Sequence, residues 1–195
     1  MSKSNSISAK QIGRRTGSAD TKAHILKAAQ VLFARQGLDQ TTMRQIAAKA
    51  EVDPALIVHY FKTKQQLFAE SIAPIIYTHR TSTLAQALDG AKLAEAFVNI
   101  MTDKAIRPLL LSLIRSMTSD AGAADILRNF TDNSLTHEIG KYIPEPDRKL
   151  KTDLIASQFI GVMVSRYIIR IEPLASAEPA VITKYLAPRL QTYFD

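Results

Sequence analysis

The chain has 195 residues, of which 46% are hydrophobic, and a formal net charge of +7. That composition supports a packed core and excludes global disorder, and the lack of cysteine removes disulfides, thiolate nucleophiles and zinc–thiolate sites together. No apolar run approaches the roughly 18 residues of a membrane span, and the opening MSKSNSISAK lacks the apolar stretch of a secretory signal, so a cytoplasmic protein with no membrane partner is expected.

Residues 1–17 are rich in Ser, Lys, Gly and Arg and read as a flexible basic arm, with Arg14 and Arg15 placed to reach a minor groove. The first helix follows. Ile25, Leu26, Ala29, Leu32 and Phe33 recur on one helical face, Ser18 or Asp20 can cap the start, and Gly37 is placed to end it. The second helix opens at Thr42, whose hydroxyl has capping-box spacing to Gln45; Met43, Ile46, Ala47 and Ala50 form its buried face. Glu51 and Val52 make a turn. Asp53 caps a short third helix, and Pro54 occupies its first position, where a missing N–H does no harm. That helix ends near Phe61, itself expected in the core. A fourth helix starts near Thr63, carries Leu67, Phe68 and Ile72, and meets a possible bend at Pro74. Later candidates are 91–102, 106–119, 121–142, 147–171 and 178–194, with a break at Pro144-Glu145-Pro146.

The charge is unevenly placed. Up to Arg80 there are twelve Lys/Arg against five Asp/Glu, and beyond it thirteen against thirteen. A basic module joined to a neutral one points to a polyanion partner for the first. Residues 41–64, TTMRQIAAKAEVDPALIVHYFKTK, have the form of a helix-turn-helix, in which a short second helix enters the major groove. Pro54 and Ala55 are small enough to approach base edges. Thr41, Thr42 and Arg44 at the bracing helix, with His59, Tyr60, Lys62 and Lys64 after the short one, suit phosphates.

The helix ILKAAQVLFARQG, the opening TTMRQIA, the turn A-x-V-D-P-A-L and the run HYF-x-x-K-x-x-L together resemble the N-terminal domain of the tetracycline-repressor (TetR) family of transcriptional regulators across residues 21–72. The resemblance implies an all-α fold: a three-helix helix-turn-helix domain at 18–78 and a helical ligand-binding and dimerisation domain at 79–195. It implies DNA contacts from Thr42 and Arg44, base approach by Pro54, Ala55 and Leu56, and phosphate contacts by His59, Tyr60 and Lys64. The sequence departs from the family habit at Glu51, where Gly is frequent, and at Leu56 and Val58, where Thr and Tyr are frequent.

The second half is neutral and apolar. Residues 147–171 carry apolar groups almost all round, so more than one side is expected to be covered. Ser157, Gly161 and Ser165 form a small-residue stripe four apart, and the last helix has a further apolar face with Tyr185 and Leu186. Pairing of these helices with a second copy gives a two-fold homodimer. The family resemblance also implies a pocket for an unidentified small-molecule effector. Phe97, Met101, Met117, Phe130 and Met163 are candidates for an adaptable apolar lining, and Arg115, His137, Gln158 and Arg166 for orienting groups. Residues 113–125 and 159–177 resemble one subgroup of such C-terminal domains.

An enzyme is not expected. His24, His59, His79 and His137 have no metal-ligand spacing, and there is no P-loop, G-x-G-x-x-G or G-x-S-x-G. No cofactor is expected. The sequence thus points to a ligand-responsive, dimeric DNA-binding regulator, a repressor on a palindromic double-stranded operator, with a sequence-indifferent architectural DNA binder as the alternative.

Overall fold

Helix caps and one glycine decide where this chain turns. A computed structural model describes residues 18–82 and 89–195, apart from the side chains at 18, 74–82, 133 and 134. The expected arm, with Arg14 and Arg15, lies outside the described residues. All regular structure among the described residues is helical.

Helix α1 (Ser18–Gln40) leaves helical geometry at Gly37, which has φ 86° and ψ 169°. That left-handed φ suits a residue without Cβ. The break sends Leu38 into the core, and its N–H donates to the buried Ser112 hydroxyl at 2.8 Å. Helix α2 (Met43–Ala50) carries the expected capping box. Gln45 N–H donates to Thr42 Oγ1 at 3.2 Å, and Thr42 N–H to Gln45 Oε1 at 2.8 Å. Helix α3 (Pro54–Tyr60) starts on Asp53, whose carboxylate accepts from Ala55 N–H at 2.7 Å. Helix α4 (Lys64–Ser82) is capped by Thr63 and passes Pro74, so the domain boundary expected at 78/79 falls within it.

Ile25, Ala29, Phe33, Ile46, Ile57, Phe61, Leu67 and Phe68 make the core of this head. Phe33 and Phe68 meet edge to face at 4.9 Å and 84°, an arrangement worth about 1 kcal/mol beyond the area buried. Leu109, Leu113 and Ala123 belong to the same core although they come from α6 (Arg107–Ser116) and α7 (Ala121–Phe130). The head is therefore built partly from the second half of the chain.

Helices α5 (Gly90–Thr102), α8 (Arg148–Met163) and α9 (Pro179–Gln191) enclose two further apolar cores among the described residues, apart from the head. Gly90 lies against α9, where an added Cβ would come within 2.2 Å of Gln191 N and 2.7 Å of the Ala187 carbonyl. The expected single helix over 121–142 is interrupted. After Phe130 the chain winds as a π-helix through Thr131–Thr136, then forms a 3-10 turn at Gly140–Tyr142. The expected helix over 147–171 likewise changes to π geometry at Val164–Ile169.

Asp120 caps α7 and ties it to α4. Its carboxylate accepts from the Gln65 side chain at 2.7 Å and from Ala123 N–H at 3.1 Å. The Gln65 bond, foremost, holds its pKa below 3.8; burial opposes this, and Ala123, Gly122 and Lys64 assist. Its stabilising contribution is thus full above about pH 3.8 and fades as pH falls through the lowered folded-state value. Replacing Asp120 by Ala is expected to lose about 1 kcal/mol at neutral pH, the usual worth of an N-cap. The gap from the parent, read by urea midpoints, should narrow as pH falls below 3.8.

Candidate nucleic-acid interface and effector cavity

The capped α2–turn–α3 unit presents one exposed face of small apolar side chains bordered by polar ones. Ile57 points into the core, which turns Pro54, Ala55, Val58 and His59 outward. Residues three and four apart share a helix face, so Pro54, Ala55 and Val58 form one small apolar patch. Val58 is 51% exposed, and the sequence marks it as a departure from the family habit without assigning it to this face. It occupies a position where the TetR resemblance sets a Tyr, and that departure was the available signal. Tyr60 is half-buried against the head core, and Leu56 is half-buried without belonging to that core.

Cations and hydroxyls border the patch. Thr42, Arg44, His59 and Lys62 are exposed, whereas Lys64 is half-buried with Nζ 3.4 Å from the Asp39 carbonyl. The Thr42 oxygen already accepts from Gln45 N–H, which leaves its hydroxyl proton to donate outward. Lys62 Nζ lies 3.3 Å from the His59 carbonyl and closes the C-terminal end of α3. The His59 and Tyr60 rings meet edge-on at 5.4 Å. Thr41 is fully buried, its hydroxyl donating to the Gly37 carbonyl at 2.6 Å, and serves the fold rather than the face.

Glu51 gives the turn its shape. It sits at φ 53° and ψ 41°, the left-handed conformation that disfavours any residue with a Cβ. The sequence departure from Gly is thus a strained position. Replacing Glu51 by Gly is expected to raise stability by about 0.5–1 kcal/mol, the left-handed penalty less the entropy that Gly adds to the unfolded chain. A denaturation midpoint at or below that of the parent would show the strain to be absent.

The second half encloses an apolar cavity of about 90 Å³ between α5, α6, α7 and α8. Phe97, Met101, Phe130 and Met163 line it as expected, and every other lining side chain is apolar too. Phe97 and Phe159 stack at 3.9 Å and form a flat wall. The other sequence candidates are not brought there. Arg115 and His137 are exposed, and the Gln158 amide is engaged by the Tyr193 hydroxyl at 2.8 Å. Met117 faces an open cleft beside α7, and Arg166 donates to the Leu174 carbonyl. Helical periodicity marked these as polar or bulky positions on apolar helices, but it carries no information about which neighbour each face meets.

A further apolar surface runs along α8 and α9. Leu150, Leu154, Val181 and Tyr185 are exposed, Tyr185 by 69%. Ser157 and Gly161 continue the exposed stripe of α8, Ser165 and Leu186 are half-buried beside it, and no atom lies within 4 Å of a Cβ built on Gly161.

No group of three or more His, Cys, Asp or Glu able to hold a metal occurs among the described residues, and none of their helices is long and apolar enough to cross a membrane.

Comparison with known proteins covers both halves. The profile described as "Bacterial regulatory proteins, tetR family" matches residues 25–71, and "Tetracyclin repressor-like, C-terminal domain" matches residues 89–194, more than half of the chain. An uncharacterised HTH-type transcriptional regulator of Haemophilus influenzae is 29% identical over 120 residues, 59% of this chain and 64% of that protein. An HTH-type transcriptional repressor of Mycobacterium tuberculosis is 44% identical over 52 residues, 27% of this chain and 28% of its own length. The chain therefore spans less than two thirds of either relative. A TetR-family regulator structure from Streptomyces coelicolor superposes with a TM-score of 0.62 at 27% identity, covering 93% of this chain and 98% of the other.

Proposed function

The chain belongs to the TetR family of bacterial regulatory proteins, and from that premise we propose that it is a ligand-responsive homodimeric repressor of a palindromic DNA operator. The observation that carries this reading is the exposed α3 face of Pro54, Ala55, Val58 and His59, held by two intact caps and bordered by Arg44 and Lys62. Such a face fits the major groove, where small side chains meet base edges while cations and hydroxyls meet phosphates. Contacts from Thr42, Arg44, Tyr60 and Lys64 to the backbone complete the proposed site.

Two features support the rest. The exposed α8–α9 surface suits a second copy of the chain, with Ser157 and Gly161 allowing close approach of helices and Tyr185 and Leu186 filling the seam. A two-fold axis there sets two α3 helices on half-sites about 34–36 Å apart. Secondly, Leu113 both lines the apolar cavity and belongs to the head core, so a cavity occupant bears on the packing under the DNA-binding face. The occupant needs only different affinities for the DNA-fitting and non-fitting states. A cytoplasmic place goes with this role.

The test is a mobility shift with DNA from upstream of the coding sequence, in competition with random duplex, at several salt concentrations. A specific complex whose affinity falls linearly in log–log form with salt is expected. Equal binding to random duplex would turn the reading toward an architectural protein. Light scattering should give the mass of two chains, and a monomer at micromolar concentration would remove the dimer.

A further inference from the structure

The apolar cavity shares a wall with open solvent. Leu127 on α7 and Ile160 on α8 line the cavity, and the same two side chains line a cleft of about 580 Å³ on the outer side of those helices. The rest of its lining mixes Thr118, Arg128, Thr131 and a group of three charges with the apolar Met117, Ala124 and Ala156.

Those three charges join the helices. Lys149 Nζ, at the start of α8, lies 2.9 Å from Asp132 Oδ1, just past the end of α7, and also bonds Asp153 one turn further along α8. Asp153 and then Asp132 hold the ammonium's pKa above its ordinary value. Asp153 thus steadies the cation, and the Lys149–Asp132 pair is the bond that crosses the cleft. Both walls also change from α to π geometry directly after a cavity-lining residue, α7 past Phe130 and α8 past Met163. Turns of that kind are rare in helices and concentrate at functional sites.

The lining limits what can be held. With no polar side chain facing the space, a charged or hydrogen-bonding group inside it would be left without a partner. An apolar cavity of about 150 Å³ stays dry and holds benzene, so this smaller space of about 90 Å³ admits at most one such ring, with its flexible Met101 and Met163 giving way. We propose that an uncharged apolar molecule about the size of one aromatic ring enters from the α7–α8 cleft past Leu127 and Ile160, and that the Lys149–Asp132 ion pair holds this entrance closed. This rests on the reading of the cavity as the effector site.

Methionine methyl NMR on the full chain, without DNA, tests the proposal, because Met101 and Met163 line the cavity. The probes are toluene, benzoate and benzylamine. Toluene should shift both methyl resonances, and its charged counterparts should not. Lys149→Ala should raise the on- and off-rates of toluene together by a few-fold, the scale of a half-exposed ion pair. Since the chain has no cysteine, a double Asp132→Cys, Lys149→Cys variant can be joined by a short bis-maleimide. Joined, it should exchange toluene at least about tenfold more slowly; unjoined, it should still bind, which controls for folding. Benzoate binding as tightly as toluene, or exchange unaffected by the cross-link, overturns the proposal. Toluene failing to reach Met101 and Met163 also overturns it and leaves operator binding untouched. Toluene that fills the cavity without changing operator affinity sinks the effector reading of the site and supports the entrance.

Discussion

Ala55→Asp is expected to weaken operator binding by roughly 100-fold or more while leaving the thermal midpoint where it is. The two halves of that result have separate causes. Ala55 is exposed in the first turn of α3, and its N–H is already taken by Asp53. A carboxylate in the first turn of a helix is favourable or neutral, so the fold has no reason to suffer. On the outer face, however, the new charge shares a patch with Pro54 and Val58, the surface proposed to enter the groove. Like charges brought together at an interface cost several kcal/mol, and about 2.7 kcal/mol is already a factor of 100. Fluorescence anisotropy at one fixed salt concentration, beside circular dichroism melting, reads both quantities. Affinity within threefold of the parent would place α3 away from the groove.

The second large effect is on stability alone. Helix propensity by itself favours Gly90→Ala, by less at this first helical position than the nearly 1 kcal/mol of a helix interior. The structure reverses the sign. The added methyl would stand 2.2 Å from the Gln191 nitrogen and 2.5 Å from its Cα, and these are backbone atoms of α9 that cannot swing aside. Either α5 or α9 must shift, and overpacking of that kind costs about 3 kcal/mol. For a chain of this size the midpoint should fall by roughly 6–12 °C. Gly90 N–H also donates to Gln191 Oε1 at 2.8 Å, so Gln191→Ala serves as the comparison. It removes that half-buried hydrogen bond and an exposed one from the Gln191 amide to Asp195, and should lose only about 1 kcal/mol. Equal losses in the two variants would assign the effect to the hydrogen bond and not to the close approach.

The head was legible because its signals are local. Thr42 with Gln45, and Asp53 with Pro54, place two helix starts within a few residues of the groups they cap, and Gly37 marks the break in α1. The apolar spacing of Ile25, Ala29 and Phe33 named core residues correctly, since that single face meets the whole core of the head. The second half was less legible for a physical reason. A π turn differs from an α turn by one residue in its hydrogen bonding, and neither Thr131 nor Val164 carries a side-chain signal for that change. Helices with apolar groups on several sides also leave their neighbours unspecified. Phe97, Met101, Phe130 and Met163 do meet in one space, whereas Gln158 is engaged by Tyr193, 35 residues away. Leu109, Leu113 and Ala123 gave no hint that they belong beneath the head.

That last arrangement bears on how such a protein can be recombined. A head cut at the end of α4 and grafted onto a different body would arrive with an apolar underside shaped for Leu109, Leu113 and Ala123, and with Leu38 N–H missing the Ser112 hydroxyl. Chimaeras that exchange whole heads should therefore inherit a mismatched joint unless α6 and the start of α7 travel with them. Retargeting confined to Pro54, Ala55, Val58 and His59 leaves that joint alone, because those side chains stand outside the core.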